Sequence, residues 1–188
     1  AFSAALGYLT ACPSNVGTGL RASVMVHLPA LRLMNEVEPV VKGLNKIGLA
    51  VRGIGGEGTE AMGNMYQVSN QMTLGESELD LIRRLSAVVE ELADHERNAR
   101  ARLREKFPAR LKDFVGRAFG ILQQAHILSS QEALDLLSAV RLGIELDLVR
   151  SLSGGDLNRL TQSILPGHLQ RQARRDLAVE DRDQLRAM

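Results

Sequence analysis

The sequence is short of most residues that announce a chemistry on their own. One cysteine, Cys12, stands among 188 residues, with no tryptophan, four phenylalanines and two tyrosines. A single thiol excludes an intramolecular disulfide framework and a zinc site built on several thiolates, and a reducing, cytoplasmic setting is expected. The four histidines, His27, His95, His126 and His168, share no helical ligand spacing, so no metal site is expected. Charge of one sign is also lacking: 23 Lys and Arg stand against 22 Asp and Glu, a net +1. Arg97, Arg100, Arg102, Arg104 and Lys106 form a basic run interrupted by Glu96 and Glu105. Without interleaved rings for stacking on bases it reads as a solvated helix face, and no nucleic-acid partner is expected. No run approaches the roughly 18 apolar residues that span a bilayer. The apolar start, Ala1–Leu9, has no basic residues ahead of it and does not read as a signal peptide. It lacks a Met and opens inside a strand-like pattern, so a fragment of a longer chain is expected.

What is present is a core-forming chain. Hydrophobic residues make up 45% of it, enough for one domain or one and a half, and with so small a net charge it does not read as disordered. Glycines crowd the first 75 residues, between strand-like runs at Gly7–Cys12, Arg21–Leu28 (closed by Pro29), Ala50–Arg52 and Asn64–Ser69. Val37, Val40, Val41, Leu44 and Ile47 predict a helix that Gly48 ends. Beyond Gly75 the texture is helical: Ser77–Lys106, Ala109–Gln124, a third helix from the capping-box spacing Ser129 to Glu132 as far as Leu152, a fourth after Ser153 and Asp156 broken at Pro166, and a charged end at Arg171–Met188. An α+β fold follows, with an antiparallel sheet of four strands, the 37–47 and 77–106 helices on one face, and a helical subdomain. A sheet edge left open could pair with another copy.

Three segments have compositions that packing alone does not explain. Cys12–Ser23 delivers a thiol to a turn rich in Pro, Gly and small hydrogen-bonding residues, with Arg21 opening the next strand. Such a turn can aim amides at an anion, or can simply be a hairpin with a buried thiol. Arg52–Glu60 puts four glycines and Glu57 after an arginine at a strand end. Glycine beside arginine suits a triphosphate, although neither a P-loop nor a dinucleotide fingerprint is present. At the end, Arg182 and Arg186 share a helix face with Asp183 between them, the spacing of a solvated helix with paired charges.

Taken together, residues 12–24, 52–60 and the Val68-Ser69-Asn70…Leu74-Gly75 block resemble the guanidino-kinase (phosphagen kinase) family, in the family's order. The helical extension and the terminal Arg182-Asp183…Arg186-Ala187 are similar to its bacterial protein-arginine kinase branch. The resemblance implies a glutamine-synthetase-like catalytic domain, here its C-terminal part at 1–106, and a helical extension at 107–188. It implies ATP-dependent phosphorylation of arginine side chains that marks proteins for proteolysis, with ATP and Mg2+ as cofactors. Glu57 matches the catalytic carboxylate and Cys12 the reactive thiol. Arg21, Ala22, Ser23, Val24, Met25, Arg52, Gly53, Ile54, Gly55, Gly56 and Glu57 match nucleotide-contacting stretches, Met25 standing where creatine and arginine kinases carry a histidine. Arg182, Asp183, Arg186 and Ala187 match an allosteric phosphoarginine site. The implied partners are proteins with exposed arginine, a zinc-binding activator, an ATP-dependent protease and further copies of the chain; a membrane is not among them. Because the family has further nucleotide-binding arginines and a second carboxylate ahead of the matched region, little activity is expected of this chain alone. The alternatives are a phosphoarginine-binding regulatory module and a small-molecule arginine kinase.

Overall fold

The computed structural model describes residues 1–12, 15–55, 61–174 and 176–188. They divide into two compact units, Ala1–Ala61 with Met65–Ala101, and Met62–Asn64 with Arg102–Met188.

The first unit holds β1 (Phe2–Ser3), β2 (Gly7–Tyr8), β3 (Ser23–His27), α1 (Pro29–Leu33), α2 (Val37–Lys46), β4 (Leu49–Gly55) and most of β5 (Ala61–Asn70) and α3 (Glu78–Lys106). The main sheet is antiparallel, in the order β3–β5–β4. It has three strands rather than the four expected. The 7–12 run pairs only at Gly7–Tyr8, in a separate ribbon with β1. It cannot extend further, because the Thr10 hydroxyl and the Asn15 N–H both donate to the Cys12 carbonyl, at 2.7 and 3.0 Å, and turn the chain.

The period of two decides which side chains share a face. Val24, Val68 and Val51 stand in register, as do Val26, Tyr66 and Gly53. Tyr66 and Val68 are fully buried, which marks the core face. Met25, Gln67 and Arg52 stand in register on the other face. The helix over 37–47 forms as the apolar spacing predicts, burying Val37 and Val41, and it packs on β4.

Two features of this unit differ from expectation. Pro29 closes β3 but also opens α1, at the position where its fixed φ and missing N–H suit a helix start. Glu96 is not on a solvated face: it is 3% exposed, and its carboxylate accepts from the Ala30 and Leu31 amides, both at 3.0 Å, and from Arg100 Nε at 2.8 Å. Burial pushes its carboxyl above the ordinary range, against the opposing pull of those donors.

The second unit holds α4 (Pro108–Gln124), α5 (Ser130–Glu145), α6 (Gly154–Ser163), α7 (Pro166–Ala173) and α8 (Val179–Ala187). Its core gathers Ala118, Leu137, Val140 and Leu157, with Phe114, Leu122 and Ile164 against them. The Ser129 hydroxyl accepts from the Glu132 amide at 3.2 Å, and at Ser153 the reciprocal box with Asp156 is complete. Ser153 hydroxyl and amide donors, with Arg159, hold the Asp156 carboxyl down at about 2. The third helix stops at Glu145 rather than Leu152. Asp147 adopts φ +65°, and the Leu148 and Val149 amides fold back onto the Gly143 carbonyl at 2.8 and 3.2 Å. The charged end is likewise split: residues 171–173 finish α7, Arg174 turns at φ +55°, and the last helix begins only at Val179.

Candidate functional site

The first glycine-rich segment folds against the chain that follows β5. Gly17, at φ +113°, lies so close to Thr73 that a Cβ would stand 2.1 Å from its carbonyl oxygen, so glycine is required on both conformational and steric grounds. The Thr18 amide donates to that carbonyl at 3.1 Å, and the Thr73 hydroxyl donates to the Val16 carbonyl at 2.7 Å. This loop delivers Arg21 to the edge of the sheet, where its Nη2 lies 3.5 Å from Ser69 Oγ.

Arg21 comes from the glycine-containing loop ahead of β3 and Arg52 from β4, and both reach one cleft. Its volume is about 350 Å³, and its walls include Asn15, both arginines, Asn70, Met72 and Thr73. Two guanidinium groups converging on a space of this size fit a chain of phosphates, which they can grip with paired N–H donors.

The predicted nucleotide stretches divide by strand geometry. Ser23 and Met25 project on the same face as Arg52, whereas Val24 belongs to the core face, and Ala22 directs its amide to Asn70 Oδ1 at 2.8 Å. Gly53, Ile54 and Gly55 end β4 across a register break. Gly56 and Glu57 lie outside the described residues. Cys12 is exposed and is not among the residues lining the cleft. Asn70, Gln71, Met72 and Thr73 line it without having been assigned to a site from the sequence; the signal was the Val68-Ser69-Asn70 run. Among the described residues no group of three His, Cys, Asp or Glu is arranged to hold a metal ion.

The terminal motif is built differently. Arg186 is buried. Its Nε donates to the Ile164 carbonyl at 3.0 Å, and its Nη1 to the Leu128 carbonyl and the Asp183 carboxylate, both at 2.5 Å. The Leu128 amide returns a bond to the Asp183 carbonyl at 3.0 Å, while Arg182 is half-buried. Arg186 and Ala187 also wall an apolar cavity of about 410 Å³ with Leu137, Leu157 and Ile164.

Residues 1–99 match the family described as "ATP:guanido phosphotransferase, C-terminal catalytic domain". The chain belongs to the ATP:guanido phosphotransferase family. Within it, residues 108–188 match a second family description, "Protein-arginine kinase McsB C-terminal domain". Among curated members of the family, proteins named protein-arginine kinase from Moorella thermoacetica and Halalkalibacterium halodurans are 56% and 51% identical over 187 residues, 100% of this chain but 53% and 52% of theirs. The chain thus spans about half the length of the curated relatives it matches. Similar solved structures include a lombricine kinase, 45% identical over 51% of this chain and 26% of its own, with a TM-score of 0.44. Another is the duplicated taurocyamine kinase from Schistosoma mansoni, 40% identical over 51% of this chain and 13% of its own, with a TM-score of 0.41.

Proposed function

We propose that this chain is the C-terminal part of an enzyme that transfers a phosphoryl group from ATP to arginine side chains in proteins, 1–106 belonging to the catalytic domain and 107–188 to a helical extension. The observation that carries the reading is the meeting of Arg21 and Arg52 in one cleft of an ATP:guanido phosphotransferase fold. Protein rather than free arginine as acceptor is supported by the match of residues 108–188 and by relatives named protein-arginine kinase across the whole chain.

Bound ATP supplies the transferable phosphoryl group, and its Mg2+ neutralises phosphate oxygens. Arg21 and Arg52 hold the phosphates by charge-assisted bonds and stabilise charge that spreads over the moving group. Ser23 and Met25, on the same face as Arg52, and Gly53, Ile54 and Gly55 at the end of β4 belong to the nucleotide site by the family resemblance. Glu57, by family resemblance, orients the acceptor guanidinium and takes its proton; the reaction needs this because a guanidinium holds its protons far above neutral pH. Cys12, exposed and outside the walls of the cleft, is assigned to the same guanidinium by family resemblance alone. Arg182, Asp183, Arg186 and Ala187 form a phosphoarginine-binding site in which Arg186, committed to backbone carbonyls, sets the helix and Arg182 meets the anion. A cytoplasmic setting, self-association, a zinc-binding activator and handover of marked proteins to an ATP-dependent protease belong to the same proposal.

The test is phosphoarginine formation on a protein substrate by the full-length enzyme. Glu57→Ala abolishes it and Cys12→Ser lowers it. Undiminished activity in Glu57→Ala refutes the proton acceptor, and undiminished activity in Cys12→Ser reduces the thiol to a structural residue. Phosphoarginine binding that is lost in Arg182→Ala, without any ATP-dependent labelling by the parent, would instead favour a binding module.

A further inference from the structure

We infer that Asn70, supported by Ser69 and Thr73, is the positioning residue that aims Arg21 into the cleft; the inference rests on the reading of that cleft as a phosphate site. Asn70 is 3% exposed, and its carboxamide is spent entirely on backbone. Its Oδ1 accepts from the Ala22 amide at 2.8 Å, and its Nδ2 donates to the Leu20 carbonyl at 3.0 Å and the Met72 carbonyl at 3.3 Å. Leu20 and Ala22 flank Arg21, so one side chain holds the peptide groups on both sides of the arginine. The Asn70 amide adds a bond to the Ala22 carbonyl at 3.3 Å.

The loop needs such a template. Its one bridge to a strand is at Gly17, to Tyr8; from there to residue 22 it contains Gly17 and Gly19, both at positive φ, and belongs to no helix or strand. Left alone, a chain of this kind would spread Arg21 over many positions, and the ordering entropy would fall on ligand binding. The template is attached to β5, the central strand of the sheet. Ser69 receives the guanidinium itself, Asn70 the two flanking peptides, and Thr73 the start of the loop at Val16 and Thr18. Only a carboxamide combines an acceptor for Ala22 with donors for Leu20 and Met72. Aspartate keeps the first, loses both others and sets an anion beside Arg21.

The experiment is a double-mutant cycle in the full-length enzyme, reading kcat/KM for ATP with protein substrate saturating and thermal unfolding as the check on folding. Arg21→Ala lowers kcat/KM about a hundredfold. Asn70→Ala lowers it about tenfold in the wild-type background and by less than about twofold when Arg21 is already alanine. Asn70→Asp, close in shape, follows the same pattern with a larger loss and serves if the alanine variant does not fold. Equal losses from the Asn70 variants in both backgrounds, or no loss in the wild-type background, overturn the inference while leaving the cleft reading intact. An Arg21→Ala variant with wild-type kcat/KM overturns the cleft reading and the inference with it.

Discussion

Arg21 and Arg52 in the first unit and Arg186 in the second are all arginines that sequence reasoning ties to anion binding, yet their surroundings differ. The first two open onto a shared cleft, whereas the third is sealed between the carbonyls of Leu128 and Ile164 and the carboxylate of Asp183. A motif states that a cation is needed; its partners state whether the cation serves a ligand or the fold. The carboxylates show the same division. Glu96 is buried under α1 and shifted up, and Asp156 caps α6 at the surface and is shifted down.

The largest expected effect breaks the cleft side of this contrast. Arg52→Ala lowers kcat/KM for ATP in the full-length enzyme by about a hundredfold and leaves the thermal midpoint within error. A variant that instead unfolds, with normal kinetics in what remains folded, would make Arg52 a second Arg186.

The next effect lies in stability. Arg186→Ala leaves the buried Leu128 carbonyl, the half-buried Ile164 carbonyl and the Asp183 carboxylate without their donor and lowers the unfolding free energy of the helical unit by about 3 kcal/mol, measured by urea denaturation. Arg186→Lys does not restore it, because an ammonium cannot donate along these separate directions from one planar group. Unchanged stability in both variants would return Arg186 to the ligand-binding side.

The two carboxylates give smaller, opposite pH effects. The folded-state pKa of Glu96 lies above the ordinary value of 4.5, so its favourable contribution is complete below that value and is lost as pH rises through the raised one. Glu96→Gln therefore flattens the fall in stability from acid towards neutral pH. Asp156, held at about 2 against an ordinary 3.8, contributes above the ordinary value and loses that contribution as pH falls through about 2. Asp156→Asn weakens this acid limb. Identical pH profiles for a variant and the wild type would contradict the corresponding assignment.

Much of the fold was legible because its signals are local. The valine spacing at 37–47 and the hydroxyl at Ser153 act within a turn or two of their own helix, and the alternation along 23–27 separates core valines from Ser23 and Met25. The convergence of Arg21 and Arg52 was legible only as a suspicion that two strands, each with an arginine next to a glycine turn, belong together. What escaped depends on distant backbone. Glu96 finds its donors more than sixty residues away, at Ala30 and Leu31, and nothing in the charged run around it marks it as buried. Arg186 bonds to carbonyls at 128 and 164, which any residue type supplies. The end of α5 escaped because an aspartate rather than a glycine takes the left-handed turn at 147.

The most direct measurement of the central claim is the amount of phosphoarginine formed by the full-length enzyme on a protein substrate and on free arginine, for wild type and Arg52→Ala. The account predicts ATP-dependent label on the protein, little on free arginine, and about a hundredfold less in Arg52→Ala with its folding intact. Label on free arginine at a comparable rate, or undiminished protein label in Arg52→Ala, would contradict it.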